Sequence, residues 1–458
     1  MSSSDLRSGE AASISPVHII GSGLAGSEAA FYLAERGIPV VIHEMRPEKM
    51  TPAHQTDRSA ELVCSNSFKT KAPNSAPGMM KAEMAKIGSM ILRCGMEAAV
   101  PGGDALAVDR DVFSQAVTKI LRSHPNIKFV HEEMSAPVEG HINLIATGPL
   151  TSDLLSAWIA KATGADDLYF YDAIAPIIDA STIDMENAFI ANRYGKGGED
   201  AYINCPMNEA EYNAFIDALT IAEKVQPKSF EKEKFFQGCQ PIEAIAATGR
   251  DSLRFGPMKP VGLDDPKTGR RPYAVIQLRP ENNAKTAYNM VGFQTKLKYG
   301  EQSKVFRLIP ALKNAEFLRL GSIHRNTYIC GPRVLRPDLS LKGHPKVYFA
   351  GQVTGVEGYL ESTACGLMAA IFIEQRVRGL PHSSPPGNTA LGALLRFILA
   401  SDPKNYQPNN MNFSLFDPNL FEGLSGESKL GRDEIRKSMA EQSIRNFSTW
   451  WDERQALA

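Results

Sequence analysis

The first legible stretch of the chain is apolar: Val17, Ile19 and Ile20 predict a short buried strand. Gly21-Ser22-Gly23-Leu24-Ala25-Gly26 then turns into a helix whose Ala29, Ala30, Leu33 and Ala34 share one face, with Gly37 as a left-handed stop. A second apolar strand covers 38–42 and ends in His43-Glu44. Between 45 and 77 the chain is rich in Pro, Ser, Asn and Thr, which predicts a long ordered loop of the kind that often carries function. Helical spacing returns over 79–96 and over 111–122, and 143–148 reads as a buried strand running into a glycine turn.

From 183 to 323 the pattern changes. Doubly buried runs give way to alternating, charged and aromatic segments, with 273–278 and 287–293 as strands of an antiparallel sheet. The parallel pattern returns at Val347-Tyr348-Phe349-Ala350-Gly351, followed by a glycine-rich turn and a helix over 361–377; a Pro-rich link and a helical tail come after Pro381. The expected fold is α/β: a Rossmann-like, two-dinucleotide-binding-type domain with a parallel sheet, plus an inserted α+β domain with an antiparallel sheet. The expected boundaries are a disordered tail at 1–15, the first part of the dinucleotide-binding domain at 16–182, the inserted domain at 183–323, and the return with its C-terminal helical segment at 324–458.

Composition adds limits. A chain of 458 residues with 43% hydrophobic and 22% charged residues is ordinary for a globular protein of two or three units. No apolar run approaches the roughly 18 residues of a membrane helix, and the polar start does not read as a secretory signal. Six cysteines (64, 94, 205, 239, 330 and 365) without a close pair argue against a disulfide framework, a zinc site or a dithiol–flavin reductase, and fit a reduced, cytoplasmic protein. The net charge of −1 does not suggest nucleic acid, but residues 250–307 hold twelve Lys or Arg against five Asp or Glu. Such a run is either a solvated face or a surface that meets phosphates.

Gly21-x-Gly23-x-x-Gly26 gains its meaning from context: a strand before it, a helix after it, and Glu44 at the end of the next strand. Glycines let the backbone approach a pyrophosphate, the helix N-terminus offers amide donors, and Glu44 can accept from ribose hydroxyls. The late strand–turn–helix around Gly351, Gln352 and Gly355, with Gly148 where the chain returns to the cofactor, favours FAD over NAD, because that helix dipole would suit a reduced isoalloxazine. Two cysteines stand in unusual surroundings: Cys64 in a polar loop, and Cys239 between Gly238 and Gln240-Pro241. A single cysteine is more often buried packing than a nucleophile, and Cys94 and Cys365 read that way.

Together Gly21-Ser-Gly-Leu-Ala-Gly-Ser-Glu-Ala, Glu61-Leu-Val-Cys-Ser-Asn-Ser, Gly238-Cys-Gln-Pro-Ile-Glu, Arg254-Phe-Gly-Pro-Met-Lys-Pro-Val-Gly-Leu and Gly351-Gln-Val-Thr-Gly-Val-Glu-Gly-Tyr resemble the folate- and FAD-dependent tRNA uracil-5-methyltransferases (the GidA-related TrmFO family). Ala390-Leu-Gly-Ala-Leu-Leu-Arg and Met411-Asn-Phe resemble that family's C-terminal segment, so the likeness runs from about 17 to 415. The resemblance implies Cys239 as the thiolate that adds to uracil C6, and Cys64 as a second functional cysteine for the C5 proton or for guarding the intermediate. It implies FAD bound by Gly21, Ser22, Gly23, Leu24, Ala25, Gly26, Glu44, Gly148, Gly351, Gln352 and Gly355, with methylenetetrahydrofolate and NAD(P)H as cosubstrates. It makes the basic insert a tRNA surface, with Arg254, Lys259, Arg270 and Arg271 as candidates. The rivals are a GidA-like wobble-uridine enzyme, which resembles the same motifs with a further C-terminal domain, a small-molecule NAD(P)H–FAD oxidoreductase, and a tRNA binder with structural flavin.

Overall fold

The structure is a computed structural model, and it describes residues 14–164, 169–173, 175–195, 202–225, 240–282, 284–404, 406–423 and 431–457. The tail expected at 1–15 therefore lies, up to residue 13, outside the described residues. Strand β1 (Val17–Ile20), helix α1 (Leu24–Glu35) and strand β2 (Val40–Glu44) form the expected opening unit. β1 sits centrally in a six-stranded sheet, with β2 and then Ile127–His131 on one side and Asn143–Ile145, His344–Phe349 and Ser340–Leu341 on the other. All neighbours run parallel except the edge strand Ser340–Leu341.

α1 is buried along nearly its whole length because it is covered by the sheet and by the helix Tyr359–Val377. The two helices touch backbone to backbone. A Cβ at Gly366 would lie 2.2 Å from Ala25 O, so only glycine allows the approach. Glu374 fixes the far end of this pair, accepting from Tyr32 Oη at 2.9 Å and ion-pairing with Arg36, Arg378 and Arg454.

The second body has its own core, with Phe215, Phe293, Phe306 and Leu278 fully buried. Its six-stranded antiparallel sheet runs in the order Phe189–Ile190, Ile203–Met207, Ala274–Pro280, Ala287–Met290, Ile177–Asp179, Phe317–Arg319. The expected boundary at 183 falls inside this body, because Ile177–Asp179 already pairs within its sheet. The chain crosses between the bodies as an antiparallel ribbon, Tyr169–Ala173 against Ile323–Thr327, which is a local pattern too short to separate from loop by periodicity.

Two expectations over 45–96 are corrected. The long loop ends earlier than 77: Ser67–Thr70 is a strand paired with Ala105–Val108, and a helix starts at Ala76. The helix expected over 79–96 is two, Ala76–Ile87 and Met90–Glu97. Gly88, at φ +90°, ends the first, and Ser89 caps the second by accepting from Leu92 N. The tail helices Ala390–Ala400 and Arg432–Gln455 both pack on Ala76–Ile87. No helix among the described residues is long and apolar enough to cross a membrane.

Candidate functional site

A cleft of about 980 Å³, open solvent at its mouth included, lies at the C-terminal ends of β1, β2 and Asn143–Ile145. Here the sheet's connections diverge to opposite sides, which is where doubly wound sheets bind their ligands. Gly21, Gly23, Leu24, Ala25, Glu44, Gly148, Gly351 and Gln352 line it. Gly21 has φ +100°, and a Cβ there would lie 2.8 Å from Ala146 O. Gly26 faces inward, where a Cβ would lie 2.0 Å from Gly21 O, so it serves the close packing of α1 rather than the cleft. At Gly23 the nearest protein atom would be 3.9 Å away, leaving room for something other than protein. The N-caps of α1 and of Tyr359–Val377 are Gly23 and Gly358, and neither has a side-chain cap. Two uncapped helix N-termini and a glycine cradle suit the pyrophosphate and flavin ends of FAD.

Glu44 is buried, and its oxygens accept five hydrogen bonds: Ser22 N (3.0 Å), Ser22 Oγ (2.7 Å), Arg46 N (3.1 Å), Arg46 Nε (2.9 Å) and Arg46 Nη2 (3.1 Å). Burial pushes this carboxyl up, but the Arg46 guanidinium and Ser22 overcome it and bring it down to about 2. A carboxylate offers about four lone-pair positions. Glu44 therefore reaches a ribose hydroxyl only when the Ser22 hydroxyl turns aside, which the motif alone does not reveal. Gly355 stands back from the cleft: at φ +89° it ends a short turn against the Tyr406 ring, whose hydroxyl donates to Thr354 O.

Arg46 was not expected from the sequence, and it is 2% exposed. Besides Glu44 it holds Thr56 O (3.1 Å) and Glu61 (3.3 Å), and Glu61 in turn accepts from Gln55 N and Thr56 N. This network ties the start of the polar loop to the segment that carries Cys64. Cys64 is half-buried, and its backbone is gripped from both sides. Its N–H donates to Tyr359 Oη at 2.7 Å, and its carbonyl accepts from Arg110 Nη2 at 2.9 Å. Arg110 also holds Leu62 O and ion-pairs with Glu281 of the second body. Next door Asn66 donates to Pro280 O and accepts from Arg279 Nε. The loop is thus ordered by both bodies at once.

Tyr359 and Val63 line the cleft, so Cys64 is one residue from its wall. Burial, then Cys64, raises the Tyr359 phenol. Arg319 faces the same group; burial and then Arg110 lower it, while Tyr359, Cys64 and Glu281 act in the opposite direction. His54, also on the cleft wall, is held neutral at about 4 by burial and Arg46. Tyr359 stood inside a quoted motif without a role. Arg110, Arg319 and Glu281 carry no local signal, because only the packing of the two bodies unites them.

Cys239 lies outside the described residues, which resume at Gln240. Glu243, the carboxylate that follows it, turns into the second body, where it accepts from Thr295 Oγ1 and from Lys296 N at 3.2 Å. Burial raises it.

The basic run is less free than its count suggests. Arg254 stacks on Tyr273, its guanidinium carbon 3.5 Å from the ring centroid, and pairs with Asp251 at 3.1 Å. Arg271 pairs with Asp264 at 3.3 Å, Arg250 with Asp217 at 2.7 Å, and Lys267 donates to three carbonyls. Lys259 and Arg270 are exposed without a side-chain partner among the described residues, and Arg270 and Arg271 share a shallow pocket floored by Phe189 and Tyr273.

Comparison with known proteins fits this architecture. The family model described as GIDA, glucose inhibited division protein A, matches residues 16–381. A protein of Koribacter versatilis (strain Ellin345) named methylenetetrahydrofolate–tRNA-(uracil-5-)-methyltransferase TrmFO is 51% identical over 435 residues, 95% of this chain and 97% of its own. One of the same name from Pelobacter propionicus is 50% identical, covering 94% of each chain. Among solved structures, GidA from Aquifex aeolicus superposes with a TM-score of 0.64 at 15% identity over 96% of this chain and 76% of its own, a likeness of fold. A glycine-cradled cleft, a loop cysteine clamped beside it and identity near one half along almost the whole length carry one conclusion: the chain belongs to the GidA family and, within it, to the TrmFO group.

Proposed function

We propose that the chain methylates C5 of a T-loop uridine in tRNA, in the cytoplasm, with methylenetetrahydrofolate as carbon donor and NAD(P)H as reductant. The observation that carries this reading is the placement of Cys64: clamped by Tyr359 and Arg110 and adjoining a cleft shaped for a dinucleotide. A small-molecule oxidoreductase has no need of such a loop.

Gly21, Gly23, Leu24, Ala25, Gly148, Gly351 and Gln352 would hold FAD, with Ser22 and Glu44 at its ribose, Gly26 supporting the turn and Gly355 the late one. When bound, FAD supplies the redox chemistry that carries reducing equivalents from NAD(P)H to the one-carbon unit. The Cys239 thiolate adds to uracil C6, forming an S–C6 bond and giving C5 enolate character. C5 then attacks the methylene carbon of the folate, and the carbon–nitrogen pair moves onto the folate nitrogen. Cys64, as thiolate, takes the C5 proton, and the C5 electron pair expels the folate nitrogen, leaving an exocyclic methylene. A hydride equivalent drawn from NAD(P)H adds to that methylene, and the electron pair returned to C5 expels the Cys239 sulfur from C6. Tyr359 and Arg110 hold the Cys64 backbone still during proton transfer, and the closed loop excludes water. The inserted domain meets tRNA with Lys259 and Arg270 among its free cations, and Arg254 and Arg271 as paired ones that can exchange carboxylate for phosphate.

The test is an assay with unmodified tRNA and each cosubstrate omitted in turn. The proposal expects 5-methyluridine only when tRNA, folate and NAD(P)H are all present. It expects Cys64→Ala and Cys239→Ala to lose it while remaining yellow. Methylation that survives folate omission sinks the proposal.

A further inference from the structure

Phe255 is 82% exposed, although it sits in an ordered turn. Its neighbours explain the order. Leu253 and Met258 are fully buried, and Gly256 N and Met258 N both donate to Leu253 O, at 3.1 and 2.8 Å. Val275 N donates to Met258 O at 3.1 Å, stapling the turn to the strand Ala274–Pro280. The chain turns again at Lys259, whose N–H meets Gly256 O, and at Leu263, whose N–H meets Pro260 O. A second exposed aromatic ring packs on the following turn of the same segment. Tyr194, 57% exposed, donates its N–H to Gly262 O at 2.8 Å, and its ring covers Gly262 so closely that a Cβ there would sit 2.5 Å from Cε1.

Charge around these rings is one-sided. Asp251 is taken by Arg254, and Asp264 by Arg271. Among the described residues Lys259 is exposed with no side-chain partner, and Arg193 donates only to neutral groups there, Val261 O and Gln277 Oε1. A rigid, solvent-facing ring beside uncompensated cations is the arrangement by which proteins take unpaired nucleotides: bases stack on the ring, and phosphates meet the charge. The apolar area is too broken for a hydrophobic protein interface, since Phe255, Val261 and Tyr194 are separated by Lys259 and glycines.

We propose that Phe255 is a stacking platform for an unpaired base of the RNA substrate, with Tyr194 as a second ring and Lys259 and Arg193 as the phosphate contacts. This rests on the tRNA reading above and names the part of the surface that reads nucleotides rather than charge alone.

Binding of an unmodified tRNA transcript to the flavin-loaded full chain, followed by fluorescence anisotropy at several salt concentrations, tests it. Phe255→Ala should weaken binding roughly 5- to 150-fold with an unchanged salt slope, as loss of one stacked base does. Phe255→Tyr should stay near wild type, and Lys259→Gln should make the salt slope shallower by about one. Wild-type affinity in Phe255→Ala overturns this inference alone. So does a wild-type dimer in sedimentation that Phe255→Ala splits, since the ring would then be a protein contact. A wild-type chain that ignores tRNA sinks the proposed function as well.

Discussion

Replacing Arg46 by Met leaves the Glu44 carboxylate buried without its cation. The magnitude follows from the titration of Glu44, which burial raises and Arg46 with Ser22 carry down from an ordinary 4.5 to about 2. That drop corresponds to about 3 kcal/mol, at about 1.4 kcal/mol per pH unit. Because the folded value is the lower one, this stability is present above about pH 4.5 and is lost as pH falls toward about 2. Arg46→Met forfeits the larger share of it at pH 7, while the Ser22 hydrogen bonds keep the rest, and it also removes the partner of Thr56 O and one partner of Glu61, which puts the loss at about 3 kcal/mol, within the range for breaking a buried pair. Urea unfolding at pH 7, followed by circular dichroism and by flavin release, measures it. The double change Glu44→Gln with Arg46→Met should cost less than the two single changes together, because no charge is then left alone. A single variant within about 0.5 kcal/mol of wild type, the scatter of ordinary surface changes, or strict additivity in the cycle, would refute the reasoning.

Gly23→Ala should fold, since its Cβ meets nothing closer than 3.9 Å, yet lose flavin in an absorbance titration; Gly26→Ala, with a 2.0 Å collision, should yield no folded protein by circular dichroism. Glu83 is fully buried, accepting from Ala390 N, Leu391 N and Ser443 Oγ, and burial raises it to about 7; Glu28 behaves alike. Both bind a proton more tightly when folded, so stability is greatest below about pH 4.5 from this source and falls as pH rises through 7; the melting temperature should decline between pH 5.5 and 8, and a flat profile contradicts it. Arg110→Lys keeps the charge but cannot bridge two carbonyls and Glu281, so methylation should fall while flavin content stays at wild-type level; unchanged turnover would show that the clamp on Cys64 is idle.

The parallel sheet and its cofactor turn were legible because both are local. A buried strand, three glycines and an acid on the next strand fall within 28 residues, from Val17 to Glu44. The second body was visible as a change of period, but its edge was not, because Ile177–Asp179 and Phe317–Arg319 are three-residue strands that carry too few positions to show alternation. Cys64 stood out by its loop, yet its partners Tyr359 and Arg110 lie 295 and 46 residues away, and nothing in the intervening sequence ties them. Charge counting misled in the insert. Asp217 and Glu223, outside the counted window, neutralise Arg250 and Lys298, so the surplus that remains at the surface is smaller and more localised.

The carbon source separates this chain's chemistry most sharply from its rivals. Purified protein, unmodified tRNA and NAD(P)H should be given methylenetetrahydrofolate labelled with ¹³C in the methylene group together with unlabelled S-adenosylmethionine, and the tRNA digested for nucleoside mass spectrometry. The account predicts 5-methyluridine heavier by the one labelled carbon; unlabelled 5-methyluridine, or a label found only on a wobble uridine, would contradict it.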